Sequence, residues 1–587
     1  MTEKTAFHQI LLILIVLVSG FCLPALAQDA TIPGEVTTPY PTITNLAVEW
    51  LINGDDNLNC VAKVEYRMAG GKKWREAMPL RRVPADRGIT TRGNFIWLNK
   101  LSGSIFDLKP DTEYEIRLRL SDPDGGSAER LVRAATRPVP KSSPDGLIKK
   151  VNPRTFNNAV LTAEPGDILL LSPGYYGDFT MQRDGASSRP IVIRADRAHP
   201  VIGSTFDGIS IQRRKHVILE GLTVNGSVDL LYAEEVAVRH CTVTAKYGII
   251  AKSPPGCKNC YIADNVVTYV MPWVNLGMGS GMEYGGAACI GEGIQITGPG
   301  NVICYNRVKG YRDCISTMED LHVYEQVCID IYNNDIYVGP DDGIEADFCM
   351  GNCRILRNRL TNCFMGLSSQ PGLGGPTYFI RNVMYNLTHS PYKLSRHSKG
   401  DVVLHNTVVK VGDGFKVVHN PSHAFFRNNL MIGGTGGGRF GRYGSGPGLA
   451  VHFPNANSTC DMDYDGVGTQ GTPFKAEVGG LTIESFEEFT RLTTEKHAVL
   501  VDMSVFNEAV EFPDPAIPER QPADLRLKAG SNAVDAGAYI HNINDGFSGS
   551  APDLGAYELG RELPHYGPRE PGVNEETEWE KKHTVNK

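Results

Sequence analysis

Residues 40–138 alternate between apolar and polar side chains in short runs that are separated by turn residues. The runs include TNLAVEWLI, AKVEYRM, GNFIWLNKL and TEYEIRLRLSD. Alternation with a period of two is typical of strands that bury one face. The segment therefore predicts a small β-sandwich with Trp50 in its core, followed by a linker at RPVPKSSPDG.

A repeat of about 24 residues follows within residues 145–432. Its marker is an Asn that precedes an apolar residue by two positions, at Asn334, Asn358, Asn382, Asn406 and Asn428. Asn265 and Asn306 are predicted as earlier members, separated by a long loop at about 268–291. A strand-rich repeat of this length predicts a β-solenoid, in which stacked Asn side chains hydrogen-bond from coil to coil.

A second strand of each repeat can be aligned on its apolar residues, which are Ile315, Ile344, Leu367, Leu394 and Phe415. If this column points inward, its neighbours point outward. The predicted outward set is Ser316, Glu345, Ser368 and Ser395, flanked by Asp347, Gln370 and His397. The same face would then carry a dense group of acids.

Five acids are the predicted catalytic residues of this face: Asp313, Asp341, Asp342, Glu345 and Asp347. Stacked coils lie ~4.8 Å apart, and crowded carboxylates raise one another's pKa, so that one can remain protonated and act as a general acid. Such a pair is what glycoside hydrolysis requires. The alternative is that Asp341 and Asp342 only form a turn and that the other acids are a solvated face.

Side chains near the acids are predicted to bind an anionic polysaccharide. The cationic candidates are Lys393, Arg396, His397 and Lys416, for which plain surface charge is the alternative. Trp273 and Tyr284, on the loop at 268–291, are predicted to stack on sugar rings, or else to pack within their own loop.

Residues 1–27 have the pattern of a cleaved signal peptide, with Lys4, an apolar run and ALA at 25–27. The run is shorter than the ~20 residues of a membrane span, so we expect a protein that is secreted, periplasmic or on the cell surface. The mild net charge of −8 and the lack of a basic stripe argue against a nucleic-acid partner. We expect a monomer.

The rest of the chain closes the solenoid. Residues 433–562 are predicted to form C-terminal coils and a cap, and residues 563–587 a disordered tail. Cysteines beyond the signal segment are predicted to form disulfides or to pack as thiols. A zinc site that joins Cys257 and Cys260 to Cys349 and Cys353 is disfavoured, because those pairs lie about three coils apart.

Two segments resemble known families. LKPDTEYEIRLRL, residues 108–120, resembles the fibronectin type III signature, which implies that the Tyr114 hydroxyl bonds to nearby backbone. TFNNAVLTAEPGDILLLSPGYYGDF resembles the first coil of right-handed parallel β-helices of the alginate lyase and chondroitinase B type. The resemblances imply an all-β chain: a right-handed parallel β-helix (pectin-lyase-like) preceded by a fibronectin type III-like sandwich.

The order Asp313, Asp341–Asp342, then Lys393 and Arg396 resembles the layout of polygalacturonase-type hydrolases. That resemblance implies hydrolysis without a cofactor or metal, although RDCIS lacks the Asn-Thr-Asp of that family. The lyase resemblance implies instead that Glu345 and Asp347 bind Ca²⁺ and that Lys393 is the base, assisted by Arg396. A third hypothesis is a non-catalytic glycan-binding or adhesion protein.

Overall fold

The structure is a computed structural model that describes residues 28–90, 93–196, 203–273, 289–317, 326–440, 443–516 and 519–584. The predicted signal segment and Tyr284 lie outside these ranges. Within them, no helix is both long enough and apolar enough to cross a membrane.

The N-terminal domain is an antiparallel β-structure in the strand order β1-β2-β7-β4-β3-β8-β9. Trp50 is fully buried in its core, and the backbone N–H of Lys109 donates to the Tyr114 hydroxyl at 2.8 Å, as expected. The arrangement agrees with the predicted sandwich. The strands are β1 Ile32–Thr37, β2 Leu46–Asn53, β3 Val61–Met68, β4 Arg75–Val83, β7 Lys100–Ile105, β8 Glu113–Ser121 and β9 Ser127–Ala135, with a separate hairpin of β5 Asp86–Thr90 and β6 Gly93–Trp97.

The remaining chain coils into a solenoid with two large sheets, and the first sheet is parallel throughout its described strands. Helix α1, Phe156–Leu161, precedes its second strand. The strands of the first sheet are β10 Ile148–Val151, β11 Ile168–Leu171, β13 Ile191–Ala195, β15 Val217–Glu220, β18 Ala237–Arg239, β21 Tyr261–Ala263, β24 Val302–Cys304, β27 Asp330–Tyr332, β29 Cys353–Leu356, β31 Thr377–Ile380, β33 Val402–Leu404, β36 Phe425–Arg427 and β41 Asp461–Asp463.

The second sheet contains two rows of parallel strands, which merge in the long strands β28, β30 and β32; β44 is antiparallel to β43. Its strands are β12 Gly174–Thr180, β14 Ser204–Ser210, β16 Thr223–Val224, β17 Val228–Asp229, β19 Thr242–Thr244, β20 Tyr247–Ala251, β22 Val266–Thr268, β23 Glu292–Ile296, β25 Arg307–Lys309, β26 Asp313–Ser316, β28 Asp335–Glu345, β30 Arg359–Ser369, β32 Val383–Leu394, β34 Thr407–Val409, β35 Phe415–Val418, β37 Leu430–Gly434, β40 Val451–Phe453, β42 Gly466–Gln470, β43 Ala476–Val478, β44 Leu481–Ile483 and β45 Val499–Val501. The predicted fold class, an all-β chain with a parallel β-helix, is confirmed.

Smaller elements complete the C-terminal region. They are the hairpin β38 Arg439–Phe440 and β39 Tyr443–Gly444, helix α2 Phe486–Leu492, a 3₁₀ turn at Met503–Val505 and helix α3 Glu575–Thr584.

A buried asparagine ladder joins the coils at one corner. In a typical rung, the Asn382 amide donates to Asn406 Oδ1 and to the Ile355 carbonyl, while its own Oδ1 accepts from the backbone and side-chain N–H groups of Asn358. Asn265 and Asn306 are earlier rungs, as predicted.

The last predicted rung, Asn428, is wrong by one residue. Asn429 accepts from Asn406 and donates to Asp465, which ends the ladder beside Glu495. The sequence FRNNL offers two adjacent asparagines, and spacing alone does not choose between them.

The N-terminal domain docks on the first sheet through buried polar contacts. Thr42 Oγ1 and Asn45 Nδ2 both donate to Asp330 Oδ2, at 2.6 and 2.7 Å. Arg354 donates to the other oxygen of Asp330 at 2.5 Å and to Ser104 Oγ of the domain at 3.2 Å. The Tyr378 hydroxyl accepts from the Ser104 backbone N–H at 3.0 Å. These contacts tie the domain to three successive coils.

The prediction of a disordered tail is wrong for the described part of residues 563–587. Arg569 is buried, and its guanidinium bonds to Asp264 and to the Tyr261 hydroxyl. Glu575, at the start of α3, accepts from the Tyr332 hydroxyl at 2.8 Å. The polar side chains that suggested disorder instead form hydrogen bonds with buried polar groups of the first sheet.

The cysteines of the described chain are buried free thiols. The sequence left disulfides and packed thiols as alternatives, and these cysteines are packed thiols.

Candidate active site

The site lies where the two rows of the second sheet merge. Strands β28 and β32 each place two residues opposite the single residue Phe364 of β30. These two residues are Pro340 and Asp341 in β28, and Thr388 and His389 in β32. Such β-bulges bend a strand and re-aim its side chains, and they are common next to active sites.

The register corrects one part of the predicted alignment. The inward column runs Ile315, Ile344, Leu367, Tyr392 and Val417, because Leu394 pairs with Ser369. The predicted last member, Phe415, is therefore wrong as well, since Val417 is the residue that pairs with Tyr392. Tyr392 and Leu394 both pack into the solenoid core, so the sequence could not tell which of them fills the column. The outward neighbours are therefore Ser316, Glu345, Ser368 and Lys393, and not Ser395.

This register brings Lys393 to the acids. Oxygen atoms of Asp313, Asp342 and Glu345 all lie within 4.8 Å of one another. Lys393 Nζ lies 2.5 Å from Asp342 Oδ2 and 3.3 Å from Glu345 Oε1. Because the intervening residue in the column is the small Ser368, the lysine can extend across one coil to reach both carboxylates.

A glutamate and an arginine that sequence reasoning missed complete the cluster. Arg312 Nε donates to Asp313 Oδ2 at 2.7 Å, and its Nη2 bonds to Glu292. The Ser316 hydroxyl donates to the other oxygen of Glu292 at 2.9 Å. Glu292 pairs with Asp313 in the adjacent strands β23 and β26. Aligning EGIQI with DCIST would have found it from the sequence.

The other two predicted acids are also buried here. Asp347 lies beyond the end of β28, and its oxygens accept from Ser368 Oγ at 2.5 Å and Gln370 Nε2 at 3.1 Å. Asp341 occupies the bulge, and its Oδ1 has no hydrogen-bond partner among the described residues. Asp342 Oδ1 also lacks a hydrogen-bond partner among these residues, so the cluster contains buried oxygens that need a proton or another cation.

Burial and mutual repulsion shift the proton affinities of these acids. Burial raises the pKa of Glu345 well above its usual value, with further contributions from Asp313 and Asp347. Burial and Asp313 likewise raise the pKa of Asp341 well above its usual value and that of Glu292 to about 8. The cluster therefore retains protons on some of its carboxyl groups near neutral pH.

The two cations respond in the opposite sense. Burial opposes the charge of Lys393, but the carboxylates of Asp342 and Glu345 outweigh it and raise the pKa of the ammonium. Asp313 raises the pKa of Arg312 in the same way. Both groups therefore remain positively charged within the cluster.

Among the predicted substrate-binding cations, Lys393 contacts the acids, and the other three are Lys416, Arg396 and His397. Lys416 bonds to the Gly444 carbonyl at 3.1 Å and lies 3.4 Å from Asp413, in a separate cluster. Arg396 and His397 are exposed and follow the end of β32. Their role in binding stays a prediction.

Trp273 does not present a ring face to solvent. Its side chain is 3% exposed and belongs to an apolar cluster with Val338, Phe364 and Met365. This burial contradicts the predicted stacking on a sugar ring. The alternative, packing within its own loop, is not what is seen either, because Trp273 packs against β28 and β30 of the solenoid.

No family model matches the chain, and no curated protein matches it. Among solved structures, pectate lyase Pel9A is similar with 15% identity and a TM-score of 0.40, covering 71% of this chain and 97% of that one. A Family 28 exopolygalacturonase from Yersinia enterocolitica has 10% identity and a TM-score of 0.26, covering 76% and 98%. Similarities this low carry no argument about activity.

Proposed function

We propose that the chain is a polysaccharide-degrading enzyme, and specifically a glycoside hydrolase that acts on an acidic glycan. The observation that carries the proposal is the excess of buried carboxyl groups over the cations that contact them. The buried carboxyl groups are Glu292, Asp313, Asp341, Asp342 and Asp347, joined by the half-buried Glu345, and the contacting cations are Arg312 and Lys393. Such a cluster holds both a protonated acid and an ionised carboxylate, which glycoside hydrolysis needs side by side.

Two of the acids suit these two roles. Glu345 retains 15% side-chain exposure and has a raised pKa, so it is our candidate for the general acid that protonates the leaving oxygen. Asp313 forms an ion pair with Arg312 at 2.7 Å. It is our candidate for the carboxylate that assists attack at the sugar carbon.

Lys393 supports the hydrolase over a lyase. A lysine that removes a proton from a sugar carbon must first be neutral, but the neighbouring carboxylates raise its pKa. In this structure Lys393 is therefore better suited to hold a negatively charged sugar, or the cluster itself, than to act as a base.

The second candidate is a Ca²⁺-dependent lyase, and one observation favours it. Asp313, Asp342 and Glu345 offer closely spaced carboxylate oxygens, which are the ligands that Ca²⁺ prefers. The buried Asp342 Oδ1 without a partner also fits a cation. Bound Ca²⁺ would neutralise a uronate carboxylate, and Lys393 would have to leave Asp342 and Glu345 to act as the base.

The test is degradation of polygalacturonate, alginate and a neutral xylan by the wild-type protein and by Glu345→Gln. We expect new reducing ends from an acidic polymer without ultraviolet absorbance from an unsaturated product, and activity that persists in EDTA. Unsaturated products that disappear in EDTA would establish the lyase instead. Loss of the general acid should lower turnover by about 10²–10⁴-fold.

The matched control is Asp229→Asn. Asp229 belongs to the same outward column as Glu345, four coils nearer the N-terminus, or ~19 Å away. Its activity should equal that of the wild type. If Glu345→Gln has the same activity as this control, the assignment of Glu345 as the general acid is wrong. If the wild type binds glycans without cleaving any of them, the enzyme proposal is wrong.

A further inference from the structure

His389, in the bulge of β32, is a buried histidine for which the reaction above has no use. Its side chain is 8% exposed, and its Nδ1 lies 2.8 Å from the Gly444 carbonyl oxygen. A carbonyl oxygen only accepts hydrogen bonds, so Nδ1 must carry the proton. In the neutral ring, Nε2 is then an acceptor.

The surroundings keep this ring neutral. Burial lowers the pKa of His389 to about 3, and the nearby Lys416 acts in the same direction. Nε2 has no hydrogen-bond partner among the described residues. Nε2 of His389 therefore remains a hydrogen-bond acceptor near neutral pH.

Aromatic contacts fix the orientation of the ring. His389 stacks on Phe364 with centroids 5.2 Å apart and planes 14° apart, and its centroid lies 5.3 Å from that of Tyr443. A side chain held in this way loses little freedom when it binds a ligand, which favours recognition.

The position of His389 relates it to the acid cluster. The next residue, Ser390, pairs with Met365, and Met365 pairs with Asp342. His389 therefore lies two coils from Asp342, at ~9.6 Å along the stack. The ammonium of Lys416 also bonds to the Gly444 carbonyl, which places a cation next to the histidine.

We propose that His389 forms a second sugar-binding position on the same face, in which Nε2 accepts a hydrogen bond from a sugar hydroxyl and Lys416 favours an anionic sugar. The inference rests on the proposed function, because it takes the glycan to run across the coils from the acid cluster toward β35. In this proposal, the bulge at Thr388 and His389 orients the His389 side chain so that Nε2 can accept the hydrogen bond.

The test compares His389→Phe with the wild type on oligogalacturonates and oligoalginates of two to eight sugars. Phe preserves the stacking on Phe364 and Tyr443 but lacks the acceptor. Losing one neutral hydrogen bond should lower kcat/KM about 3- to 10-fold, mostly through KM. The loss should occur on long oligosaccharides and vanish on those too short to span the ~9.6 Å.

Two further variants separate binding from folding. His389→Gln retains an acceptor and should recover part of the affinity. His497→Phe is the matched control, because His497 also stacks on a ring, that of Tyr464 at 4.3 Å, but lies beside β41 of the first sheet. It should behave as the wild type. An equal loss on substrates of every length would indicate a structural role and overturn the inference.

Binding without turnover distinguishes this inference from the proposed function. Calorimetric titration of the Glu345→Gln protein with the eight-sugar probes should show affinity that His389→Phe weakens. If glycans bind in this way but no polymer is cleaved by the wild type, the function proposal fails and the binding position stands. If neither probe binds, or if binding ignores His389, the inference is wrong.

Discussion

The contact between Lys393 and Asp342 makes the sharpest prediction about the site. Both side chains are buried, with exposures of 7% and 0%. Removing one partner of a buried pair leaves an uncompensated charge and typically costs about 3–5 kcal/mol. Lys393→Met and Asp342→Asn should each destabilise the protein by that amount, and the double variant should cost less than the sum of the two.

The expected shift in melting temperature follows from the size of the chain. At about 2.1 cal/mol/K per residue, unfolding 587 residues has an entropy of roughly 1.2 kcal/mol/K. A loss of about 3–5 kcal/mol then lowers Tm by about 2–4 °C, which scanning calorimetry resolves. The loss in Lys393→Met should shrink at acid pH, because Asp342 and Glu345 can then take up protons instead.

A surface pair provides the control. Lys475 lies 2.7 Å from Glu484, but their side chains are 50% and 61% exposed. Such pairs contribute about 0–1 kcal/mol, so Lys475→Met should change Tm by less than about 1 °C. The reasoning is refuted if the effects of Lys393→Met and Asp342→Asn add to within about 0.5 kcal/mol, because contacting residues should not be independent.

Three further predictions concern the scaffold. Asn382→Ala leaves two buried N–H donors of Asn358 without an acceptor and should cost about 2–6 kcal/mol by calorimetry; a change below about 1 kcal/mol would mean that the ladder relaxes. Burial raises the pKa of Asp465 to about 6 and also raises that of Glu495, so the folded protein retains a proton that the unfolded chain releases, and stability should fall as pH rises from about 4 through about 6. Glu495→Gln should flatten that slope of Tm against pH, and an unchanged slope would contradict the assignment. Deleting residues 568–587 should speed hydrogen exchange in β21, whereas unchanged exchange would restore the disordered-tail prediction.

The solenoid was predictable because its signal repeats. Each buried rung requires an Asn that both donates and accepts, so the residue type recurs at fixed spacing. The carboxylate patch was predictable for a related reason, since acids at strand spacing on stacked coils must approach one another.

What the sequence could not supply is the effect of single residues on register. The extra residue at Thr388–His389 changes the pairing of β32, and it is Lys393 that joins the outward column. Apolar periodicity reads Tyr392 and Leu394 as equivalent, because both face the core. Glu292 was missed for another reason: a long loop separates it from the preceding rung, Asn265, and obscures the repeat.

The docked N-terminal domain has a consequence for how the molecule can be divided. Asp330, Arg354 and Tyr378 belong to the coils that continue into β28, β30 and β32, so the domain packs behind the turns that carry Asp342, Glu345 and Lys393 on their other sheet. Cutting the chain at the linker and removing the domain would take hydrogen-bond partners away from Asp330 and Arg354, whose side chains are fully buried. The solenoid behind the candidate site is thus completed by residues of the N-terminal domain, and a solenoid expressed without that domain would expose buried polar groups of its first sheet.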